Sequence, residues 1–187
     1  MNTSVYTLNT DVKGEEEHRL DKQHRSLLAV TKTLLPSHVH SYLLSRQYAP
    51  AVADIGTGTG IWLRDLAAEL PAQARLDGYD VDISKFPSDS ALPQNVTLSY
   101  GDAVRPFPDQ LHGQYDCVHL RLLHYALKSD QWLEVVANLK MLLRPAGWLV
   151  WDEVGYPGYT CLPMTESYQK WINIDVRYAE SVGRDIT

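Results

Sequence analysis

One short segment constrains the fold more than any other: a run of alternating glycines between a predicted strand and a predicted helix. It reads Asp54-Ile55-Gly56-Thr57-Gly58-Thr59-Gly60. Glycines let the backbone turn tightly and let a ligand approach without a Cβ in the way. The helix that follows offers unpaired N–H groups in its first turn, and ligands of open α/β sheets bind at this place, beyond the carboxyl ends of the strands. The segment therefore predicts a ligand site, and its alternative explanation is a tight strand-to-helix turn.

The spacing of the glycines narrows the class of ligand. A dinucleotide loop needs G-x-G-x-x-G, but the third glycine is Ile61 in one register and Leu63 in the other. A phosphate-binding P-loop needs a lysine after its last glycine, and none follows here. The carboxylate of Asp54 would repel a pyrophosphate but attract an ammonium group. S-adenosylmethionine carries an ammonium, a sulfonium and no phosphate, so the loop favours this cofactor.

The rest of the chain alternates short apolar runs with amphipathic helices. Strands are predicted at 51–55, 74–80, 96–100, 115–120 and 148–154. Helices are predicted at 15–35, 37–43 and 63–70, and after caps at Ser129 and Thr165. This alternation predicts an α/β fold: a Rossmann-like parallel sheet of about five strands with helices on both faces. Residues 1–50 are expected to form an N-terminal arm and helical cap, and residues 51–187 the cofactor-binding domain.

Two further carboxylates follow predicted strands. Asp80 ends the second strand, where an acidic side chain can accept both hydroxyls of a ribose. Asp82 competes for this role, and its alternative is that of a turn residue. Asp102 ends the third strand and could accept a hydrogen bond from an adenine amino group while the Ala103 N–H meets the ring. The alternative for Gly101-Asp102 is an ordinary turn.

Composition argues against several other classes of protein. The chain has 17 Lys and Arg against 23 Asp and Glu, a net charge of −6, which argues against a general nucleic-acid binder with its basic stripe. No apolar run approaches the ~20 residues that a membrane span needs. Two cysteines cannot form a disulfide framework, which favours a cytoplasmic protein. No His/Cys cluster has metal-binding spacing, so no metal is predicted.

Taken together, the segments 52–62, 79–84, 100–102, 115–121 and 143–148 resemble a known family, the class I S-adenosylmethionine-dependent methyltransferases. With the upstream segment 19–24, the likeness is greatest to the fungal secondary-metabolism branch. The resemblance implies that Asp54 holds the methionine ammonium, that Asp80 takes the ribose and that Leu120 and Arg121 face the reactive methyl. The cofactor-binding residues implied in this way are Asp54, Gly56, Thr57, Gly58, Gly60, Asp80, Val81, Asp102, Ala103, Leu120 and Arg121.

The candidate catalytic base is His124, one helical turn beyond Arg121. His24 is the second candidate, because it lies in the helix expected to close over the cofactor. Asp152 and Glu153 could touch a substrate, but adjacent carboxylates in a strand point to opposite faces and do not chelate. Cys117 is predicted to lie in the core.

The resemblance also implies two further strands, which the sequence does not supply, so we expect a domain shortened at its C-terminus. Two functions stay open at this stage. One is methyl transfer to a small, secondary-metabolite-like acceptor, and the other is a shortened subunit that binds cofactor or a partner chain without methylating. A nicotinamide oxidoreductase is disfavoured by the glycine spacing. The fifth strand would leave an open edge, so we expect a homodimer or a heteromeric partner, unless the helix after Thr165 covers it.

Overall fold

A computed structural model describes residues 14–153, 162–184 and 186. Its centre is a sheet of five parallel strands in the order β3-β2-β1-β4-β5. The strands are β1 (Ala51–Ile55), β2 (Arg75–Asp80), β3 (Val96–Tyr100), β4 (Tyr115–Arg121) and β5 (Leu143–Asp152). The predicted α/β class and the parallel sheet are therefore confirmed. Strand order reverses between β1 and β4, and such a switch point creates a crevice at the carboxyl ends of the strands.

Five helices accompany the sheet in the described part of the chain. They are α1 (Glu15–Thr31), α2 (Ser37–Leu44), α3 (Ile61–Leu66), α4 (Trp132–Leu142) and α5 (Glu166–Ser181). Short 3₁₀ turns follow at Ile83–Lys85, Asp89–Ala91 and Asp109–Leu111. The expected N-terminal arm, the end of the predicted fifth strand at Val154 and Cys161 lie outside the described residues.

The core lies on both faces of the sheet. On one face, Val39 of α2 and Leu63 of α3 pack against Val52 and Leu76 in one buried cluster. On the other face, Leu139 and Leu142 of α4 pack with Ile55, Val118 and Leu120 of the sheet in a second buried cluster. The N-terminal helices therefore share a core with the sheet, and a domain boundary at residue 50 stays a prediction. Cys117 is fully buried in β4, as predicted.

Several predicted element boundaries are wrong. Helix α1 ends at Thr31 and not at residue 35, and α3 spans Ile61–Leu66 instead of 63–70. Ser129 does not cap α4, which begins at Trp132 after Gln131; instead its N–H and hydroxyl both donate to the Gly183 carbonyl after α5. The fifth strand starts at Leu143, not Trp148, because pairing with β4 continues across an irregularity opposite 115–117. Arg144 thus belongs to β5, where it pairs with the buried Asp116 at 2.6 Å. No described helix has both the length and the apolar character that crossing a bilayer requires.

Candidate functional site

The glycine loop passes through three residues of left-handed backbone, Gly56, Gly58 and Gly60, with φ of +70°, +58° and +71°. Residues with a Cβ rarely adopt this conformation. The N–H groups of Gly56 and Thr57 both donate to the Tyr79 carbonyl, at 2.8 and 3.1 Å, which fixes the loop to β2. A Cβ at Gly58 would lie 3.2 Å from Leu20 Cδ1 of α1. The alternating glycines therefore have a geometric cause in a loop held between a strand and a helix.

A cavity opens beside this loop at the carboxyl ends of β1 to β4. Among the predicted cofactor residues, those on its wall are Gly56, Thr57, Gly58, Asp80, Val81, Asp102, Ala103 and Arg121. The wall does not include Asp54, Gly60 or Leu120. Gly60 is the residue before α3, and Leu120 is fully buried in the cluster beneath α4. The fold thus gathers most of the predicted residues around one space, and their contacts with a cofactor stay a prediction.

Asp80 ties the end of β2 to the glycine loop. Its two oxygens accept hydrogen bonds from the N–H groups of Gly58 at 2.8 Å and Asp82 at 2.9 Å. Burial raises the pKa of Asp80 above its usual value, although these two bonds favour the ionised form. Asp82 also lines the cavity, but its carboxylate caps the next turn through Ser84 and pairs with Lys85 at 3.4 Å. The contacts of Asp80 therefore suit a cofactor-binding role better than those of Asp82.

The β3 end of the cavity combines a carboxylate with apolar surface. Asp102 accepts a hydrogen bond from the Val104 N–H at 3.0 Å, which forms a local turn. Val81 lines the wall and is 44% exposed, so it offers apolar surface with which a ligand can make contact. Both explanations of Asp102, turn former and adenine contact, are compatible with this geometry because each carboxylate oxygen accepts more than one bond.

Asp54 lies under the loop and is part of a buried polar cluster. One oxygen accepts a hydrogen bond from the Thr57 hydroxyl at 2.7 Å, and the other contacts His119 Nδ1 at 2.7 Å. His119 stacks on Trp62, with ring centroids 3.8 Å apart. Burial lowers the pKa of His119, but the carboxylates of Asp152 and Asp54 outweigh this and raise the pKa overall. Asp54 thus stabilises the loop conformation through its hydrogen bond with Thr57. Its contact with His119 was not predicted from the sequence.

A second polar chain connects the cavity to α1. Arg121 donates from Nη2 to His24 Nδ1 at 2.8 Å, and His24 Nε2 lies 2.9 Å from Asp65 Oδ2. An imidazole nitrogen that accepts from arginine carries no proton, so the hydrogen of His24 is on Nε2 and the ring is neutral. Burial, reinforced by Arg121, lowers the pKa of His24 in agreement with this state. Since Arg121 occupies the Nδ1 lone pair, His24 is poorly suited to act as a base.

Helix α1 supplies wall residues that the motifs did not identify. Leu20 and Gln23 line the cavity, and Asp21 accepts a hydrogen bond from the Thr59 hydroxyl at 2.6 Å. Both residues belong to the upstream segment 19–24, whose sequence resembles that of the fungal branch. Leu20 and Gln23 are three residues apart, so they lie on the same face of α1. Helix α1 therefore packs against the glycine loop, and its closure over a cofactor stays a prediction.

His124 forms a dyad with Glu153 beside the cavity. His124 Nδ1 lies 2.7 Å from Glu153 Oε2, and the other oxygen accepts from the Leu123 N–H at 2.7 Å. Leu123 and Ala126 line the cavity, but His124 itself does not. Leu122, just before, has φ of +58°, and such strain in a residue with a Cβ is found preferentially at functional sites. Among the described residues, no group of His, Cys, Asp and Glu side chains could hold a metal.

Comparison with known proteins agrees with this arrangement. Residues 24–179 match the family described as methyltransferase domain. The chain is 39% identical over 162 residues to the methyltransferase grgD of a Penicillium species, which covers 81% of this chain and 53% of that protein. It is 27% identical to the secondary metabolism regulator LAE1 of Hypocrea atroviridis, over 93% of this chain and 50% of that protein. The chain thus spans about half the length of these curated relatives.

Solved structures support the fold. The DhpI–SAH complex superposes with a TM-score of 0.53 at 16% identity, covering 75% of this chain and 64% of that one. The expected resemblance, to the secondary-metabolism branch of fungal methyltransferases, is confirmed by the relatives above. Because the family match extends over most of the sequence, from α1 into α5, this chain belongs to the methyltransferase domain family.

Proposed function

We propose that this chain directs methyl transfer from S-adenosylmethionine to a nucleophilic atom of a small molecule. The observation that carries the proposal is the cavity wall, where the glycine loop, Asp80 and Asp102 meet at the ends of neighbouring strands. The name of grgD supports methyl transfer, and the name of LAE1 supports a setting in secondary metabolism. The free, buried thiol of Cys117 agrees with the cytoplasmic location inferred from the low cysteine count.

The residues around the cavity have the chemistry to bind each part of the cofactor: its adenine, its ribose and its methionine. Asp80 would accept the ribose hydroxyls, and Val81 offers apolar surface to the adenine, whose amino group Asp102 would read. Asp54 would attract the methionine ammonium through the loop that it holds. When bound, the cofactor supplies an electrophilic methyl group on its sulfonium. Leu20 and Gln23 of α1 cover this space and would exclude water from it.

The acceptor has to lose a proton when an oxygen or a nitrogen is methylated, and His124 is the proposed base. Glu153 accepts the Nδ1 hydrogen of His124 and stabilises the charge that the ring gains. Nε2 is then the nitrogen that takes the proton. Because His124 directly follows the wall residue Leu123 in the chain, the acceptor would approach from the β4 side of the cavity.

A comparison of binding with turnover tests this proposal. Turnover is measured as the production of S-adenosylhomocysteine from S-adenosylmethionine, with a panel of small hydroxylated and amino-bearing metabolites as acceptors. The affinity of the chain for S-adenosylhomocysteine is measured by calorimetry. His124→Gln should lower turnover by about 10²- to 10⁴-fold, the usual contribution of a general base, and change affinity by less than about 3-fold. His112→Gln is the control and should match the wild type, because this partly buried histidine is not part of the cavity wall. Equal losses of affinity and turnover would exclude a role as base.

One alternative function has its own support. LAE1, which is named a secondary metabolism regulator, matches 93% of this chain. A subunit of that kind would bind S-adenosylhomocysteine yet produce none with any acceptor, and its His124→Gln variant would behave like the wild type.

A further inference from the structure

On one face of the sheet, β1, β4 and β5 change from apolar to ionisable side chains towards their carboxyl ends. The apolar residues are Val52, Cys117 and Val150, which belong to one buried cluster. Residues two apart on a strand share a face, so the next residues on it are Asp54, His119 and Asp152. Trp62 of α3 covers this row by stacking on His119, with the two ring planes 3° apart. His119 is 1% exposed, so a titratable ring is buried between two carboxylates.

The two ring nitrogens of His119 face these two carboxylates at unequal distances. Nδ1 lies 2.7 Å from Asp54 Oδ1, and Nε2 lies 3.6 Å from Asp152 Oδ2. The second distance is longer than a hydrogen bond, and the buried Nε2 has no hydrogen-bond partner among the described residues. A neutral ring would place the Nε2 lone pair against a carboxylate oxygen, whereas a protonated ring donates from both nitrogens. The side chain of Asp152 is 57% exposed, so a small rotation can bring it within bonding distance.

The charges around His119 favour the protonated ring. Asp54 of β1 and Asp152 of β5 are carboxylates, and Arg121, two residues further along β4, adds one cation to the same face. A neutral ring would leave two negative charges against one positive charge, whereas an imidazolium balances them. The face of Trp62 also attracts a cation. Burial lowers the pKa of His119 and Arg121 opposes its protonation as well, but Asp152 and Asp54 raise the pKa overall.

We propose that His119, as an imidazolium, is a positioning residue that ties the glycine loop to the carboxyl end of β5. Asp54 holds the loop, and Asp152 directly precedes Glu153, the partner of His124. A protonated His119 that bonds both carboxylates would therefore fix the cofactor side and the base side of the cavity together. This inference rests on the proposed function, because its effect is expected on the affinity for the cofactor.

The sign of the pH dependence follows from the charge of His119. The imidazolium is present below the raised pKa of His119 and is lost as the pH rises through it. Over that rise, the affinity for S-adenosylhomocysteine should fall by about 3- to 10-fold, as expected for the loss of one contact in a hydrogen-bonded network. Protonation of a cavity carboxylate would instead weaken binding as the pH falls, so the two effects differ in direction.

Two titrations of the full chain test the proposal: the histidine rings are followed by NMR, and the affinity for S-adenosylhomocysteine is followed by calorimetry, each as a function of pH. Asp152→Asn removes one carboxylate and so lowers the pKa of His119. One histidine titration and the alkaline decline in affinity should therefore move together to lower pH. His119→Asn, whose amide keeps a donor towards Asp54, should lack the decline. Asp109→Asn is the matched control, because Asp109 also faces a histidine, His112 at 3.8 Å, but lies outside the cavity wall; it should leave the affinity profile unchanged.

The outcomes separate this inference from the proposed function. If Asp152→Asn leaves both midpoints where the wild type has them, His119 does not bridge the two carboxylates and the proposal is wrong, although the cofactor assignment stands. If the histidine titration moves but the affinity does not follow it, His119 does not position the loop, and the proposal is again wrong. If the wild type does not bind S-adenosylhomocysteine at any pH, the proposed function fails and this inference fails with it. Because Asp152 is exposed, its variant decides the matter even if His119→Asn does not fold.

Discussion

Replacing Asp80 by asparagine tests the cofactor assignment at its most specific contact. Each oxygen of Asp80 accepts one backbone N–H, from Gly58 and from Asp82, and keeps a second lone pair for a ribose hydroxyl. An asparagine has one accepting oxygen, so its NH₂ group would oppose one of these donors. One charge-assisted bond to the ribose is then lost, at a cost of about 1.5–3 kcal/mol. The affinity for S-adenosylhomocysteine should fall by about 10- to 150-fold.

The fold should survive this change. Because burial already disfavours the charge of Asp80, a neutral side chain of the same shape relieves that penalty, and this gain offsets the cost of placing its NH₂ group against a backbone N–H. Calorimetric titration should therefore show weaker binding while the melting temperature stays near that of the wild type. Asp82→Asn is the matched control, because Asp82 caps the adjacent turn through Ser84, and it should change affinity by less than about 3-fold.

The pH dependence gives an independent readout. The pKa of Asp80 is raised, so on acidification it takes up a proton before an ordinary aspartate does. Protonation removes the acceptor that the ribose needs, so affinity should be full above this raised pKa and decline as the pH falls through it. Asp80→Asn should lack this decline. If Asp82→Asn weakens binding and Asp80→Asn does not, the assignment at the end of β2 is wrong, and if neither variant matters the cofactor assignment is refuted.

Two further substitutions probe the loop and its support. Gly58→Val should abolish binding of S-adenosylhomocysteine, because a side chain there meets Leu20 and the backbone has φ of +58°; retained tight binding by a variant with a normal circular dichroism spectrum would exclude this loop as the site. Asp116→Ala should lower the melting temperature by about 10 °C in scanning calorimetry, since it removes the fully buried acceptor of Arg144, Tyr48 and the Ala51 N–H at a cost of about 3–5 kcal/mol. A fall below about 3 °C would contradict that estimate.

Features that depend on neighbouring residues could be predicted from the sequence. The bounds of β1 and β3 match the prediction to the residue, because apolar runs between turn signals are local patterns. The positions of Asp80 and Asp102 on the cavity wall could be predicted for the same reason, since each lies at the carboxyl end of a strand. The errors came from distant partners. Ser129 has the chemistry of a helix cap, but its hydroxyl bonds to a carbonyl 54 residues away.

The polar clusters beneath the cavity could not be predicted in the same way. His119 contacts Asp54, 65 positions away, and Arg121 contacts His24, 97 positions away. Neither pair leaves a local pattern, because parallel strands and the covering helix bring its members together only in the folded chain. The start of β5 was missed for a related reason: Pro145-Ala146-Gly147 has the composition of a turn, yet Ala146 takes φ of +64° within a strand that continues past it.

The last prediction concerns the free edge of β5. In the described part of the chain, β5 pairs with β4 alone, and Asp175 of α5 accepts a hydrogen bond from Tyr125. Trp148 on β5 is 38% exposed, although its ring also contacts His38 of α2. Residues 148–151 of β5 are uncharged and β-prone, and an edge of this kind tends to pair with another strand. We therefore predict that the chain associates through β5, as a homodimer or with a partner.

Light scattering over a dilution series measures this association. The wild-type mass should rise with concentration from that of one chain towards that of two. Trp148→Lys should remain monomeric, because a charge at an edge opposes strand pairing. Leu133→Lys is the control: Leu133 is 86% exposed on α4, so its loss removes as much apolar surface without touching the edge, and the variant should associate like the wild type. A wild-type monomer at every concentration, with one cooperative unfolding transition, would refute the open edge, because some other part of the same chain, such as α5, would then have to cover it.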